Sequence, residues 1–257
     1  MRPNTAKRLL MEGKPALGTW MNMATITGAE FLSYVGWDWL VLDIEHGCFN
    51  PETMQAMFIA IGTTGTIPMA RIAWNDPCII KQTLDAGALG VVVPMVCTPE
   101  EAAKAVAAAK YPPDGIRSAG GGRWRYWAGS DYPQHANEEI LVMVMIEHQT
   151  AVENAEAILR VPGVDGAFIG PNDLAWSMGL KPHGLGEQDP AHAEAVAKVL
   201  AAGKKTGVPV GIHCRSKEEV VQRIKEGFQF LACTNDVTFM MSAATAARQY
   251  IKDQTGF

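Results

Sequence analysis

Eight short apolar runs recur along the chain, each about a strand long and each followed by a helix-like stretch. They are PALGTW (15–20), DWLVLDI (38–44), IPMARI (67–72), LGVVVPMV (89–96), ILVMVMIE (140–147), VDGAFIG (164–170), VPVGIHC (208–214) and FQFLACT (228–234). A strand with one wet face alternates apolar and polar residues. These runs are apolar almost throughout, so both of their faces must be covered. The intervening stretches carry helix punctuation. TPEEAAKAVAAAK (98–110) opens on Thr98 as a cap with Pro99 in the first turn. SKEEVVQRIKEG (216–227) pairs Ser216 with Glu219 in a capping box and stops at Gly227. Eight covered strands in βα alternation over 257 residues predict a parallel sheet sheathed in helices. A single (β/α)8 TIM barrel spanning 1–257 satisfies that pattern. The competing arrangement is an open doubly wound sheet. No G-x-G-x-x-G follows the first run, which counts against its dinucleotide-binding form.

Composition narrows the function classes. The chain is 48% hydrophobic with a net charge of −5, enough for a large core and without the cationic surface that nucleic acid or a membrane would need. GRWRYW (122–127) is the one basic-aromatic patch and reads as a folded loop with tryptophan in a core. The five cysteines, Cys48, Cys78, Cys97, Cys214 and Cys233, are odd in number and form no CxxC. They read as reduced thiols, not as a disulfide framework or a zinc knuckle. No run reaches membrane-spanning length and the N-terminus lacks the apolar region of a signal peptide, so a soluble cytoplasmic chain is expected. One segment breaks the rhythm. YPPDGIRSAGGGRWRYWAGSDYPQHAN (111–137) is long for a connection inside a compact domain and is expected to form short helical turns at the barrel mouth.

A TIM barrel builds its active site from the C-terminal ends of its strands. Those ends carry Trp20, then Asp43, Glu45 and His46, then Arg71, then Glu147 and His148. Gly170-Pro171-Asn172 leads to Asp173, and the last two runs end in His213 and in Asn235 with Asp236. The opposite ends carry nothing comparable. Glu147 and Asp173 are carboxylates from neighbouring strand ends, the donor type for a hard cation such as Mg²⁺ or Mn²⁺ whose shell is completed by water and substrate oxygens. Asp173 has a simpler alternative as the cap of the helix NDLAWSMG (172–179). His46 is a candidate general base, or a hydrogen-bonded histidine in a turn. Arg71 would aim a fixed cation into the pocket, or pair with Asp43 or Glu45, or both. GPND (170–173) offers free backbone N–H groups at a helix start, a seat for a carboxylate. Trp20 and Trp74 read first as core, with Trp20 a candidate for lining the pocket. His148 and His213 read as structural, and Met95 and Met145 as packing inside the barrel.

The set DWLVLDIEH, RIAWNDPCIIKQTLDAGALGVVVPMV, YPPDGIRS, VMIEH, VDGAFIGPNDLA and the late TNDVT resembles the HpcH/HpaI aldolase family, in order and over nearly the whole chain. The resemblance implies a class II, metal-dependent pyruvate aldolase on a barrel of the phosphoenolpyruvate/pyruvate superfamily. It implies a homo-hexamer in which the last helix, about 236–253, swaps onto a neighbouring barrel. By the same resemblance Glu147 and Asp173 hold the divalent ion (Mg²⁺, Mn²⁺ or Co²⁺), and His46, paired with Asp85, is the acid/base group. Arg71 stabilises the pyruvate enolate, Gly170 and the backbone N–H groups of Asn172 and Asp173 bind the pyruvate carboxylate, Trp20 lines the aldehyde side and Asp43 organises the end of the second strand. The implied reaction is reversible cleavage of a 4-hydroxy-2-oxo acid to pyruvate and an aldehyde. Four positions depart from the family pattern: Met145 where relatives carry Gln, His148 where a small residue is usual, the glycine-rich SAGGGRWRYW, and His213 where an apolar residue is common. They leave the pyruvate half intact and alter the aldehyde side, where the Met, Trp and Tyr content suggests a bulkier or aromatic aldehyde and hence a role in aromatic-compound catabolism. The alternatives are oxaloacetate decarboxylation or another lyase reaction of the superfamily and, in another class, a non-catalytic barrel that binds a keto acid.

Overall fold

A computed structural model describes residues 1–120, 122–182 and 189–256. Eight strands form one sheet: β1 Ala16–Met21, β2 Trp39–Asp43, β3 Ile67–Arg71, β4 Gly90–Val93, β5 Leu141–Ile146, β6 Gly166–Ile169, β7 Val210–Cys214 and β8 Phe230–Asn235. Each pairs in parallel with the next, and β8 pairs with β1, which closes the barrel and rules out the open sheet. The strands fall on the predicted runs. β4 is shorter than its run because Pro94 has no N–H to give the ladder, and Met95 then turns into the left-handed region at φ 54°.

The apolar faces divide into two layers, as the unbroken runs require. Inside the barrel Trp39 stacks on Phe230 with ring centroids 4.1 Å apart, Phe168 meets Phe230 edge-on at 6.0 Å, and Met143 and Met145 fill the gaps. Gly18 is dictated by this packing, since a Cβ there would lie 2.2 Å from the Trp39 ring. Outside, Leu40, Leu42, Val91, Val93 and Ile146 pack under the helices.

The described residues hold thirteen helical segments, not eight. One of them, Thr5–Met11, precedes β1 and covers the N-terminal end of the barrel: Ala6 and Leu10 join the interior cluster, and buried Lys7 pairs with Asp165 at 2.8 Å and donates to the Ile140 carbonyl at 2.9 Å. The strand C-termini are left as the mouth. The segment 111–137, apart from Gly121, which lies outside the described residues, forms the helical turns Trp124–Trp127 and Tyr132–Glu139. Trp124 is buried there and stacks on Tyr132 at 5.0 Å, so the basic-aromatic patch is a folded loop. Three expectations fail. The turns of 124–132 are not at the mouth: Met1 pairs with Asp131, the Arg2 N–H donates to the Ala128 carbonyl and its guanidinium lies over Trp127, toward the end that the first helix covers. Trp74 lies beyond the end of β3 and is 58% exposed, and Met95, turned out by its left-handed backbone, is not barrel interior. Among the described residues no helix is long and apolar enough to cross a membrane.

Candidate active site

The register of β2 on β3 sets Asp43 opposite Arg71 at the barrel mouth. Both are buried. Arg71 Nε and Nη2 donate to the two Asp43 oxygens at 2.9 and 2.7 Å, a bidentate pair, and Nη1 lies 3.1 Å from Glu45 Oε2. The guanidinium carbon sits 4.7 Å from the Trp20 ring centroid. Asn22 Nδ2 donates to Asp43 Oδ2 at 2.7 Å, and the His46 N–H donates to Oδ1 at 3.3 Å. Burial works against the charge on Arg71, but Asp43 and Glu45 hold its pKa above the ordinary value, so the cation is both permanent and fixed. The two readings of Arg71, carboxylate partner and pocket cation, are therefore compatible.

Glu147 follows β5 and is 3% exposed. Its Oε1 accepts from the Met95 N–H at 2.8 Å, which is what the left-handed turn at Met95 presents. Its Oε2 lies over Gly170, where a Cβ would stand only 2.6 Å away. Burial pushes the Glu147 carboxyl up to about 7. The Met95 N–H and the charge of Arg71 oppose the shift, and the charges of Asp173 and Glu45 add to it. Asp173 stands in the first turn of the helix Pro171–Ser177, whose N-cap is Gly170 without a side-chain cap bond, so Asp173 is not the cap. The N–H groups of Asn172 and Asp173 belong to that first turn and have no intrahelical acceptor.

Trp20, Asp43, His46, Arg71, Gly170, Asn172 and Asp173 line one cavity of about 390 Å³ at the strand C-termini, with Glu147 against the Gly170 wall. Asp85 does not join them. It sits in the last turn of the helix Pro77–Ala86, in the outer layer and not at a strand end, and pairs with buried Arg117 at 2.7 Å. It lines a separate cavity of about 630 Å³ with Arg123, Arg125 and Tyr126. The expected His46–Asp85 pair is therefore not formed within the chain. The carboxylate beside the His46 ring is Glu45, at 3.9 Å, and the ring itself is largely exposed. The aromatic residues of the 122–127 loop go to the core or to that second cavity and do not line the strand-end one.

Sequence reading underused Glu45, Asn22, Phe168, Trp176 and Asn235, all in or beside this cavity. Glu45 and Asn235 were seen as strand-end residues but given no role in the site, Asn22 could have been found as a polar residue just past a strand end, and the aromatic pair carried no such signal. His148 is structural, its Nδ1 accepting from the Thr150 N–H at 3.1 Å to cap a helix. His213 lines the cavity, edge-on to Trp20 at 6.2 Å between centroids, so the structural reading of it was incomplete.

Two of these carboxylates fit a divalent cation. Glu147 and Asp173 make no ion pair with Lys or Arg among the described residues, because Arg71 is committed to Asp43 and Glu45. The Met95 N–H and the Arg71 charge offset only part of the cost of burying a charge on Glu147, and its carboxyl is still pushed up, the electrostatic condition that a bound cation relieves. No cluster of three or more His, Cys, Asp or Glu ligands exists among the described residues, so water and substrate oxygens would have to complete the shell.

The comparisons with known proteins point one way. The family model described as HpcH/HpaI aldolase/citrate lyase matches residues 16–243. A hydroxypyruvate/pyruvate aldolase of Sagittula stellata is 39% identical over 95% of this chain and 96% of its own. A 4-hydroxy-2-oxo-heptane-1,7-dioate aldolase of Shigella flexneri is 38% identical over 95% of this chain and 91% of its own. The crystal structure of a HpcH/HpaI aldolase/citrate lyase family protein from Burkholderia cenocepacia superposes with a TM-score of 0.91 at 33% identity, covering 97% of this chain and 99% of that one.

Proposed function

The chain belongs to the HpcH/HpaI aldolase/citrate lyase family, and from that premise we propose that it cleaves a 4-hydroxy-2-oxo acid reversibly into pyruvate and an aldehyde. The observation that carries this reading is the meeting, at one cavity, of Asp173 and the buried, raised carboxyl of Glu147 behind Gly170 with a guanidinium locked by two hydrogen bonds.

Glu147 and Asp173 would hold the divalent ion (Mg²⁺, Mn²⁺ or Co²⁺), which when bound supplies Lewis-acid polarisation of the keto oxygen. The free N–H groups of Asn172 and Asp173 seat the substrate carboxylate at the helix start. Arg71 aims fixed positive charge at the position where the enolate oxygen develops. Since Asp43 and Glu45 already hold it, it need not reorganise during reaction. His46, at the lip of the cavity, removes the 4-hydroxyl proton. The C3–C4 bond then breaks, the aldehyde departs, and the electron pair is left as the pyruvate enolate, which takes a proton at C3 to give the methyl group. Within one chain Asp85 pairs with Arg117 and not with His46, so this scheme does not draw on it.

Exchange of the pyruvate methyl protons in D₂O tests the enolate-forming half without knowledge of the aldehyde. Exchange is expected with Mg²⁺, Mn²⁺ or Co²⁺, to stop with a chelator and to be abolished by Glu147→Ala. Exchange that persists through both would overturn the assignment of the metal seat.

The assembly belongs to the same proposal: a homo-hexamer in which the helix Asp236–Thr255 is swapped between neighbours. In its support, that helix buries only Asp236 and leaves Val237, Met240, Met241, Tyr250 and Ile251 exposed, an apolar content that a second copy would cover. Light scattering on the whole chain should give six subunits. A monomer at micromolar concentration would refute the swap.

A further inference from the structure

We infer that His213 is the specificity-determining residue on the aldehyde side of the cavity, and that it selects a short 2-hydroxyaldehyde over an aldehyde lacking that hydroxyl. The inference rests on the aldolase reading and goes beyond it to the acceptor.

The closed strand order divides the mouth. β2 to β6 bring Asp43 with His46, Arg71, the Met95 N–H with Glu147, and the Asn172 and Asp173 N–H groups to the keto-acid half. The remaining arc, β7–β8–β1, faces whatever joins or leaves at the pyruvate methyl carbon. It ends in His213, Asn235 and Asn22, all lining the cavity, with Trp20 beneath them. An arc built for an aromatic or aliphatic aldehyde would end in apolar side chains. This one ends in neutral hydrogen-bonding groups.

Those groups have capacity to spare. His213 makes no side-chain hydrogen bond or ion pair with the described residues, and its one recorded ring contact is the edge-on approach to Trp20. Asn22 spends its amide N–H on Asp43 and keeps its oxygen. Asn235 spends its oxygen on the Thr238 N–H and keeps its amide nitrogen. Trp20 Nε1 is buried without a partner. No group of the described residues competes for the His213 ring nitrogens, so a ligand hydroxyl in the cavity can take them. The imidazole is neutral: burial, then Arg71 and Arg215, push its pKa down to about 4 against the opposing charge of Asp43. A neutral ring offers one donor and one acceptor, the complement of a hydroxyl. Burial of the ring makes it a poor partner for a carboxylate, which would want the charged form. The cavity of about 390 Å³ is shared with the keto acid and leaves room for an aldehyde of a few carbons.

Glycolaldehyde and propanal differ by OH against CH₃ at nearly equal size, so the ratio of their kcat/KM values in the addition to pyruvate isolates the hydroxyl. Their intrinsic reactivities differ, but that difference is common to every variant. The wild-type ratio should fall roughly tenfold in His213→Phe, which keeps the edge contact to Trp20 and removes the polar atoms. His213→Gln should return most of it, because an amide again offers a donor and an acceptor. The inference is overturned if the ratio is the same in all three proteins, or if His213→Phe lowers both aldehydes equally. It is also overturned if succinic semialdehyde outcompetes glycolaldehyde and is insensitive to His213→Phe, which would assign the arc to a carboxylate through exposed Arg215. Pyruvate methyl exchange on the same preparations separates the failures. Exchange with an unchanged ratio sinks the acceptor assignment alone, and no exchange in the wild type sinks the aldolase reading along with it.

Discussion

Gly170→Ala tests the metal seat without touching a ligand. Gly170 has φ −89°, so an alanine there adds no left-handed strain, and as an N-cap it gives up a fraction of a kcal/mol at most. Its effect comes from one contact. The new Cβ would lie 2.6 Å from Glu147 Oε2, 3.1 Å from Glu147 Cβ and 3.2 Å from Met145 Cε. An ordinary carbon–oxygen contact needs about 3.3 Å, so the carboxylate must retreat by roughly 0.7 Å, against a close-packed wall. That retreat strains the 2.8 Å bond from the Met95 N–H, a charge-assisted bond worth about 1.5–3 kcal/mol. Overpacking of this kind costs about 1–3 kcal/mol in the fold. For the cation, a displaced ligand should weaken Mn²⁺ affinity about 10- to 100-fold, equivalent to roughly 1.4–2.7 kcal/mol. Isothermal titration with Mn²⁺ measures the affinity, and urea unfolding of the chelator-treated protein measures the fold. A variant that loses 1–3 kcal/mol of stability while binding Mn²⁺ as the wild type does would refute the reasoning. Glu147 would then be a structural carboxylate, and the seat would lie elsewhere.

The pH dependence of the metal-free protein follows from the same carboxyl. Glu147 titrates near 7 in the folded chain against an ordinary 4.5, so the fold holds its proton more tightly than the unfolded chain does. Its contribution to stability is complete below about 4.5 and is lost as pH rises through 7, about 3 kcal/mol in all, which Glu147→Gln should remove from urea-unfolding profiles taken between pH 4.5 and 8. Because the cation needs the ionised form, Mn²⁺ binding at pH 6 should release close to one proton and at pH 8 close to none, as read by calorimetry in buffers of different ionisation enthalpy. Asp43→Asn keeps the shape of the Arg71 clamp and removes its charge; Glu45 still neutralises part of the guanidinium, so the loss should be about 2–4 kcal/mol by urea unfolding. The same change should lower pyruvate exchange by at least tenfold at saturating pyruvate, since Arg71 would have to reorganise during the reaction; unchanged exchange would remove Arg71 from the chemistry.

The barrel was legible because its determinant is local and repeated. Each run is buried on both faces, and the two-layer core of Trp39, Phe168 and Phe230 within and Leu40, Val91 and Ile146 without requires apolar residues at successive positions. Once the barrel is read, strand direction alone assigns Asp43, Arg71, Glu147 and the Gly170–Asp173 turn to one mouth, and they line or abut one cavity. What escaped depends on relations that no single position carries. The pairing of Arg71 with Asp43 or Glu45 was legible, but its bidentate geometry is a consequence of register, because Asp43 faces Arg71 only when β2 and β3 align as they do. The Met95 N–H that holds Glu147 is backbone, and any residue name would have concealed it. The surroundings of Asp85 escaped because a motif fixes order along the chain and not the layer in which a helix turn ends, and within the chain its partner there is Arg117. His213 was noted as a departure at a strand end but read as structural, because a histidine at the end of an apolar strand reads as a satisfied core residue. Its place in the cavity wall, with no hydrogen bond to the described residues, becomes visible only when the residues around it are in place.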